Sequence, residues 1–266
     1  MQDIVRRQFL NFVLTSALPL CALNSQARTL GPAPAKCALV IGNAKYLGKG
    51  RALANPEADA LLVGQSLKSM GFSVAPHTNL SRKEMLQAVA DFAESLPEGA
   101  TSFVFFAGHG MQIGGANYLI PVDMQPNSEQ SVQLTAYPLK NLLERLSASK
   151  SAVNIVALDA CRNNPFQPEI LVRLRSITSR EGLAAVPAPR GTLVAYSTAP
   201  GQLAADGKNA NSLYSALLAK ALLEPQLSVE QVFKKVGQLI RKETSDNQIP
   251  WFESSLSDDY FLQASN

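Results

Sequence analysis

Four short apolar runs constrain this chain more than any other feature: ALVI at 38–41, SFVFFA at 102–107, VNIVAL at 153–158 and GTLVAYS at 191–197. None keeps a strict apolar–polar alternation, so each reads as a strand covered on both faces, the habit of parallel sheets. A further strand fits residues 72–75, just after the helix stop at Gly71. Helical stretches separate the runs. Asn55-Pro56-Glu57 offers a cap residue, a proline at the first helical position and an acid near the positive helix end. Ser81 and Glu84 form a capping box ahead of Met85, Val89, Phe92 and Leu96, which repeat at helical spacing. Helices are also expected over 138–146, 212–223 and 228–244, the last carrying Val229, Val232, Phe233, Val236, Leu239 and Ile240 on one stripe. Strands alternating with helices predict an α/β fold in three layers: a mostly parallel central sheet with helices on both faces. In such sheets chemistry collects beyond the carboxyl ends of the strands.

Two of those ends carry reactive side chains. The 102–107 run leads into Gly108-His109-Gly110, and the 153–158 run into Asp159-Ala160-Cys161. A cysteine just past a buried strand can be held rigidly and still be reached. Its thiol is mostly protonated at neutral pH, with a free pKa of about 8.5, so a nearby histidine is needed to take the proton. His109 lies about fifty residues upstream of Cys161, a spacing known for caspase nucleophiles. The chain's three cysteines and two histidines supply neither a four-ligand structural zinc site nor a dense, even-numbered disulfide scaffold. Cys37 reads as buried and inert, and His77 as surface or structural. The net charge of +3 gives no electrostatic footprint for nucleic acid. No phosphate-cradling glycine loop follows the first strand, which sets aside a nucleotide-binding domain.

The sequence resembles the caspase family of cysteine peptidases, in its bacterial branch near metacaspases and paracaspases. The resemblance rests on ALVIGN (38–43), FFAGHG (105–110), NYLIPVD (117–123), LDACRNNPF (158–166), AYSTAPG (195–201) and QIPWFESSL (248–256), in the family's order. It implies a caspase-like fold and peptide-bond hydrolysis through an acyl-enzyme, with protein or peptide substrates. Carried over by position, Cys161 resembles the nucleophile and His109 the general acid/base. The backbone amides of Gly110 and Cys161 would form the oxyanion hole, each donor worth about 3 kcal/mol in the transition state. A catalytically silent caspase-fold binding or scaffold protein is the alternative reading.

Departures from the animal enzymes bear on specificity. Those cut after aspartate and carry glutamine two residues before the nucleophile, where this chain has Asp159. They also carry arginine shortly after the STAPG segment, where this chain runs Gln202-Leu203-Ala204-Ala205. A pocket holding a carboxylate and lacking those cations would repel acidic side chains and favour arginine or lysine. Asp59 resembles the second pocket acid of metacaspases. No cofactor is required by this reading and no metal ligands are assigned. Calcium dependence, which metacaspases often show, is left open, since no Asp-x-Asp-x-Asp loop is present.

Residues 1–27 stand apart. Arg6 and Arg7 precede an apolar run over 9–23, and Ser25-Gln26-Ala27 offers a small-x-Ala cleavage site, the pattern of a signal peptide. Arg-Arg-Gln-Phe-Leu resembles the twin-arginine type, although Val5 and Asn11 depart from its flanks; a general secretory signal is the other reading. Cys21 would leave with it. The expected product is an exported protein, periplasmic or secreted, with no stable membrane anchor and a peptidase domain over 28–266. Within it, a large-subunit-like part over about 36–166 and a small-subunit-like part over 191–266 flank a linker at 167–190. That linker contains Arg173, Arg175, Arg180 and Arg190, sites at which an arginine-directed enzyme would cut itself.

Overall fold

A computed structural model describes residues 34–48, 51–125, 128–161, 183–199 and 210–263, with Cys161 described by its backbone. The expected signal peptide over 1–27, Cys21, the arginines at 173, 175 and 180, and Gln202 to Ala205 lie outside the described residues. Those described fall in one compact unit, Pro34–Asn266.

Eight strands are described: β1 (Lys36–Gly42), β2 (Ser73–Thr78), β3 (Thr101–Ile113), β4 (Ala116–Leu119), β5 (Tyr137–Pro138), β6 (Val153–Cys161), β7 (Thr192–Tyr196) and β8 (Trp251–Ser254). Their order is β2-β1-β3-β6-β7-β8, parallel throughout except for β7–β8, with β4 pairing antiparallel to β3 and β5. The helices are α1 (Pro56–Ser69), α2 (Arg82–Ser95), α3 (Glu129–Thr135), α4 (Leu139–Ala148), α5 (Leu213–Leu222) and α6 (Val229–Glu243).

Strand parity sorts the core into two layers. Ala38, Val40, Phe103, Phe105, Ile155, Ala157, Leu193 and Ala195 pack with α1, α5 and α6. Leu39, Ile41, Val104, Phe106, Val156, Leu158, Val194 and Tyr196 pack with α2 and α4. The expected three-layer α/β architecture is therefore present. The Ser81–Glu84 capping box forms as anticipated, and Ser128–Ser131 at α3 and Ser228–Gln231 at α6 make two more. Asn55 occupies the N-cap of α1 without a side-chain capping bond, so Pro56 carries that helix start.

Several boundaries differ from expectation. β3 runs on through His109 to Ile113 and turns into β4 at Gly114 and Gly115, whose φ values are 56° and 82°. Positive φ at both central residues is what a tight two-residue hairpin demands. His109 is thus inside a strand, not past its end. β2 includes His77, which is half-buried, and Cys37 is half-buried rather than enclosed. Among the described residues no helix is long and apolar enough to cross a membrane.

Gly42 ends β1 where α1 presses against it. An added Cβ would collide with the Pro56 carbonyl and lie 2.9 Å from Ala60 Cβ. Gly42→Ala is expected to cost about 2–3 kcal/mol by overpacking. Thermal denaturation should read this as a midpoint lower by roughly 5–10 °C.

Candidate active site

The two strand ends singled out in the sequence are neighbours. In the parallel β3–β6 ladder His109 stands in register with Cys161, and Asp159 with Ala107. Adjacent strands lie about 4.8 Å apart, so the register alone brings the histidine and cysteine backbones together.

His109 is 4% exposed and held at three points. Its backbone N–H donates to the Tyr46 hydroxyl at 2.8 Å. Its ring lies against the Tyr46 ring, with centroids 4.4 Å apart and planes tilted by 53°. Its Nε2 is 2.8 Å from the Arg51 carbonyl oxygen. A carbonyl only accepts, so the proton sits on Nε2 and the lone pair on Nδ1, the tautomer in which Nδ1 is the basic atom. Gly110 follows on the same strand, packed against Ala160 of β6 and Leu183. Asn117 of β4 fixes the chain beyond Leu183 through both ends of its amide: Nδ2 donates to the Ala184 carbonyl at 2.7 Å, and Oδ1 accepts from the Ala184 N–H at 2.6 Å.

Asp59 and Asp159, a hundred positions apart, meet at the N-terminus of α5. Asp59 comes from α1 and is 2% exposed; Asp159 comes from β6 and is 5% exposed. Asp59 Oδ1 accepts from Asn211 Nδ2 at 3.0 Å and from the Ser212 backbone N–H at 2.9 Å. Asp159 Oδ2 accepts from the Ser212 hydroxyl and from the Ser215 hydroxyl at 2.6 Å. Ser212 is also the N-cap of α5, accepting the Ser215 N–H at 3.0 Å. One residue thus bridges both acids while capping a helix whose dipole favours negative charge there. Burial, and then the charge of Asp159, push the Asp59 carboxyl up to about 6. Burial and the same Asp159 charge push the Tyr214 phenol well above its usual range.

Sequence reasoning did not single out Tyr46, the Arg51 carbonyl, Asn211, Ser212 or Ser215 as site residues. Ser212 carried a signal only as a helix start. Of the remaining candidates, Cys37 lies at the beginning of β1, and His77 lies near the carboxyl end of β2, separated from β3 by β1. Burial raises the Cys37 thiol pKa, which keeps it protonated and sluggish. Among the described residues no group of three or more His, Cys, Asp or Glu could hold a metal ion.

Comparison with known proteins identifies the family. The caspase-domain family model matches residues 35–261. Mucosa-associated lymphoid tissue lymphoma translocation protein 1 from human, and its mouse homologue, are each 27% identical over 210 residues, covering 76% of this chain and 24% of theirs. A probable protease of a Desulfuromonadales bacterium is 25% identical over 214 residues, covering 68% of this chain and 25% of its own length. The chain spans about a quarter of the length of these curated relatives. With a mostly parallel sheet flanked by helices, and a family model covering nearly all of the compact unit, the chain belongs to the caspase-domain family of cysteine peptidases.

Proposed function

We propose that this protein is a cysteine endopeptidase that cleaves after arginine or lysine, with Cys161 as nucleophile and His109 as general base and acid. His109 Nδ1 takes the thiol proton as Sγ attacks the substrate carbonyl carbon, and the carbonyl electron pair moves onto oxygen. The amides of Gly110 and Cys161 donate to that oxyanion. Collapse breaks the C–N bond, the amine leaves with the proton from His109, and a thioester remains. Water, deprotonated by His109, then hydrolyses the thioester and restores the thiol. The balance closes without a metal.

The observation that carries the specificity is the acid pair. Two buried carboxylates share Ser212, and Asp59's hydrogen-bond partners are the neutral groups of Asn211 and Ser212. A guanidinium or ammonium entering beside them would offset the burial and the Asp159 repulsion that together raise Asp59. Protonation of Asp59 removes one of the charges, so cation affinity should fall as pH drops through about 6. Calorimetric titration of the Cys161→Ala protein with agmatine, a small guanidinium amine, should therefore weaken several-fold between pH 7.5 and pH 5. Affinity that is flat with pH would remove the acid pair from the pocket.

The test of the whole reading is cleavage of a peptide library, with and without calcium, beside a Cys161→Ala control. Cuts after Arg and Lys are expected; cuts after Asp alone would overturn the specificity, and no cuts at all would favour the silent scaffold. Mass spectrometry of the same sample reads two further parts of the proposal, export with loss of residues 1–27 and self-cleavage within 167–190.

A further inference from the structure

We propose that Tyr46 is a positioning residue for His109, holding its imidazole in the orientation and tautomer that catalysis requires; this rests on the reading of His109 as the general base. Tyr46 is 7% exposed and sits in the turn after β1. That turn is braced from several sides. The Ala44 and Lys45 N–H groups donate to Asn79 Oδ1 at 2.9 and 2.8 Å, with Asn79 itself at φ 55°. The Tyr46 N–H donates to the Ala44 carbonyl at 3.1 Å, and the Leu47 and Leu53 N–H groups to the Val122 and Ala44 carbonyls at 3.0 Å each.

From this braced turn one side chain reaches His109 twice. The hydroxyl accepts the His109 backbone N–H at 2.8 Å, which fixes the height of the residue on β3. The ring, 4.4 Å from the imidazole, restricts its rotation about χ2. The same loop supplies the Arg51 carbonyl that takes the Nε2 proton. Ring and carbonyl together leave the imidazole one orientation, with the lone pair on Nδ1. An aromatic face also favours the imidazolium that forms when the thiol proton arrives.

Gly108 supports the pairing independently. Its φ is 154°, and a Cβ there would collide with the Tyr46 hydroxyl and lie 3.1 Å from the Asn43 carbonyl oxygen. The first glycine of the Gly-His-Gly triplet thus makes room for Tyr46. The role is one of positioning, since Tyr46 acts through His109 and touches no reacting atom.

The test uses Tyr46→Phe and Tyr46→Leu in the full chain. Tyr46→Phe keeps the ring and removes the acceptor for one buried N–H; kcat should fall roughly 3- to 10-fold. Tyr46→Leu also removes the ring, and kcat should fall roughly 30- to 100-fold, with KM within about twofold in both. With only two histidines in the chain, the imidazole nuclear magnetic resonance spectrum has two sets of signals to assign. In the Cys161→Ala background, Tyr46→Leu should abolish the upfield ring-current shift of the His109 ring protons and weaken the Nε2–H tautomer preference in its 15N shifts. Tyr46→Phe should preserve the ring-current shift, and His77 should not move in either. A folded Tyr46→Leu protein with kcat within twofold of the parent, or with unchanged His109 shifts, overturns the proposal. If the parent cleaves no peptide, the catalytic reading fails by itself, and the His109 signals still decide whether Tyr46 fixes the ring.

Discussion

Cys161→Ala is expected to lower peptide cleavage by at least about 10⁴-fold while leaving the fold and the agmatine affinity intact. The loss is that large because no other group can form the thioester, and the oxyanion donors are left with only the slow direct attack of water to assist. His109→Ala should cost a comparable factor, and the double variant little more than either single one, because the two side chains act as one unit. Alkylation separates Cys37 from Cys161. Cys37 is half-buried with its thiol pKa raised, so it should react slowly. Cys161 should react fast, and slow down in the His109→Ala protein. Peptide mapping after brief iodoacetamide treatment reads both rates. Cleavage persisting within tenfold in Cys161→Ala would place the nucleophile elsewhere.

The pairing of Cys161 with His109 was legible because each sits on an apolar run whose burial on both faces forces a parallel strand. Once 102–107 and 153–158 were strands of one sheet, their ends had to lie on the same side. The β3–β4 hairpin escaped notice for a different reason. Its strand residues run Gly-His-Gly-Met-Gln-Ile, a stretch with weak strand propensity, yet Gly114-Gly115 is itself a two-residue hairpin signal. β8 escaped because an edge strand of four half-buried or exposed residues leaves no apolar run.

The acid pair lies at the opposite extreme. Asp59 and Asp159 came together only through resemblance, since nothing in helical or strand periodicity relates position 59 to position 159. What joins them is Ser212, whose amide and hydroxyl each reach a different carboxylate. A serine at a helix start is visible in sequence; the long-range acceptors of its hydrogen bonds are not. Tyr46 was hidden in the same way. Its neighbours belong to the ALVIGN motif, but the residue it serves is on another strand. The scarcity of cysteine and histidine pointed to the reacting groups, whereas the groups that orient them are common residues with ordinary local signals.

Asp59→Asn should reduce cleavage after arginine by about 10²-fold or more and, at neutral pH, make the protein more stable. Both effects follow from the same charge. In the folded protein the carboxyl titrates at about 6, raised by burial and by Asp159 from 3.8. The folded state therefore binds the proton more tightly than the unfolded chain. Stability falls as pH rises through the window from about 4 to about 6, and the full cost is present above it. An asparagine keeps an oxygen to accept from Asn211 and the Ser212 amide, and its amide can donate towards Asp159. Removing the charge should then recover on the order of 1–3 kcal/mol at pH 7.5. In thermal denaturation that is a midpoint higher by roughly 3–10 °C, shrinking towards zero as pH falls to 4. An acid kept for packing or for a structural ion pair would behave with the opposite sign, since its neutral variant loses stability at neutral pH. A destabilised Asp59→Asn protein that still cleaves after arginine would thus assign the pair to the fold. A stabilised one that has lost that cleavage shows a repulsion held in place for a cationic substrate, the trade between stability and activity that binding sites exhibit.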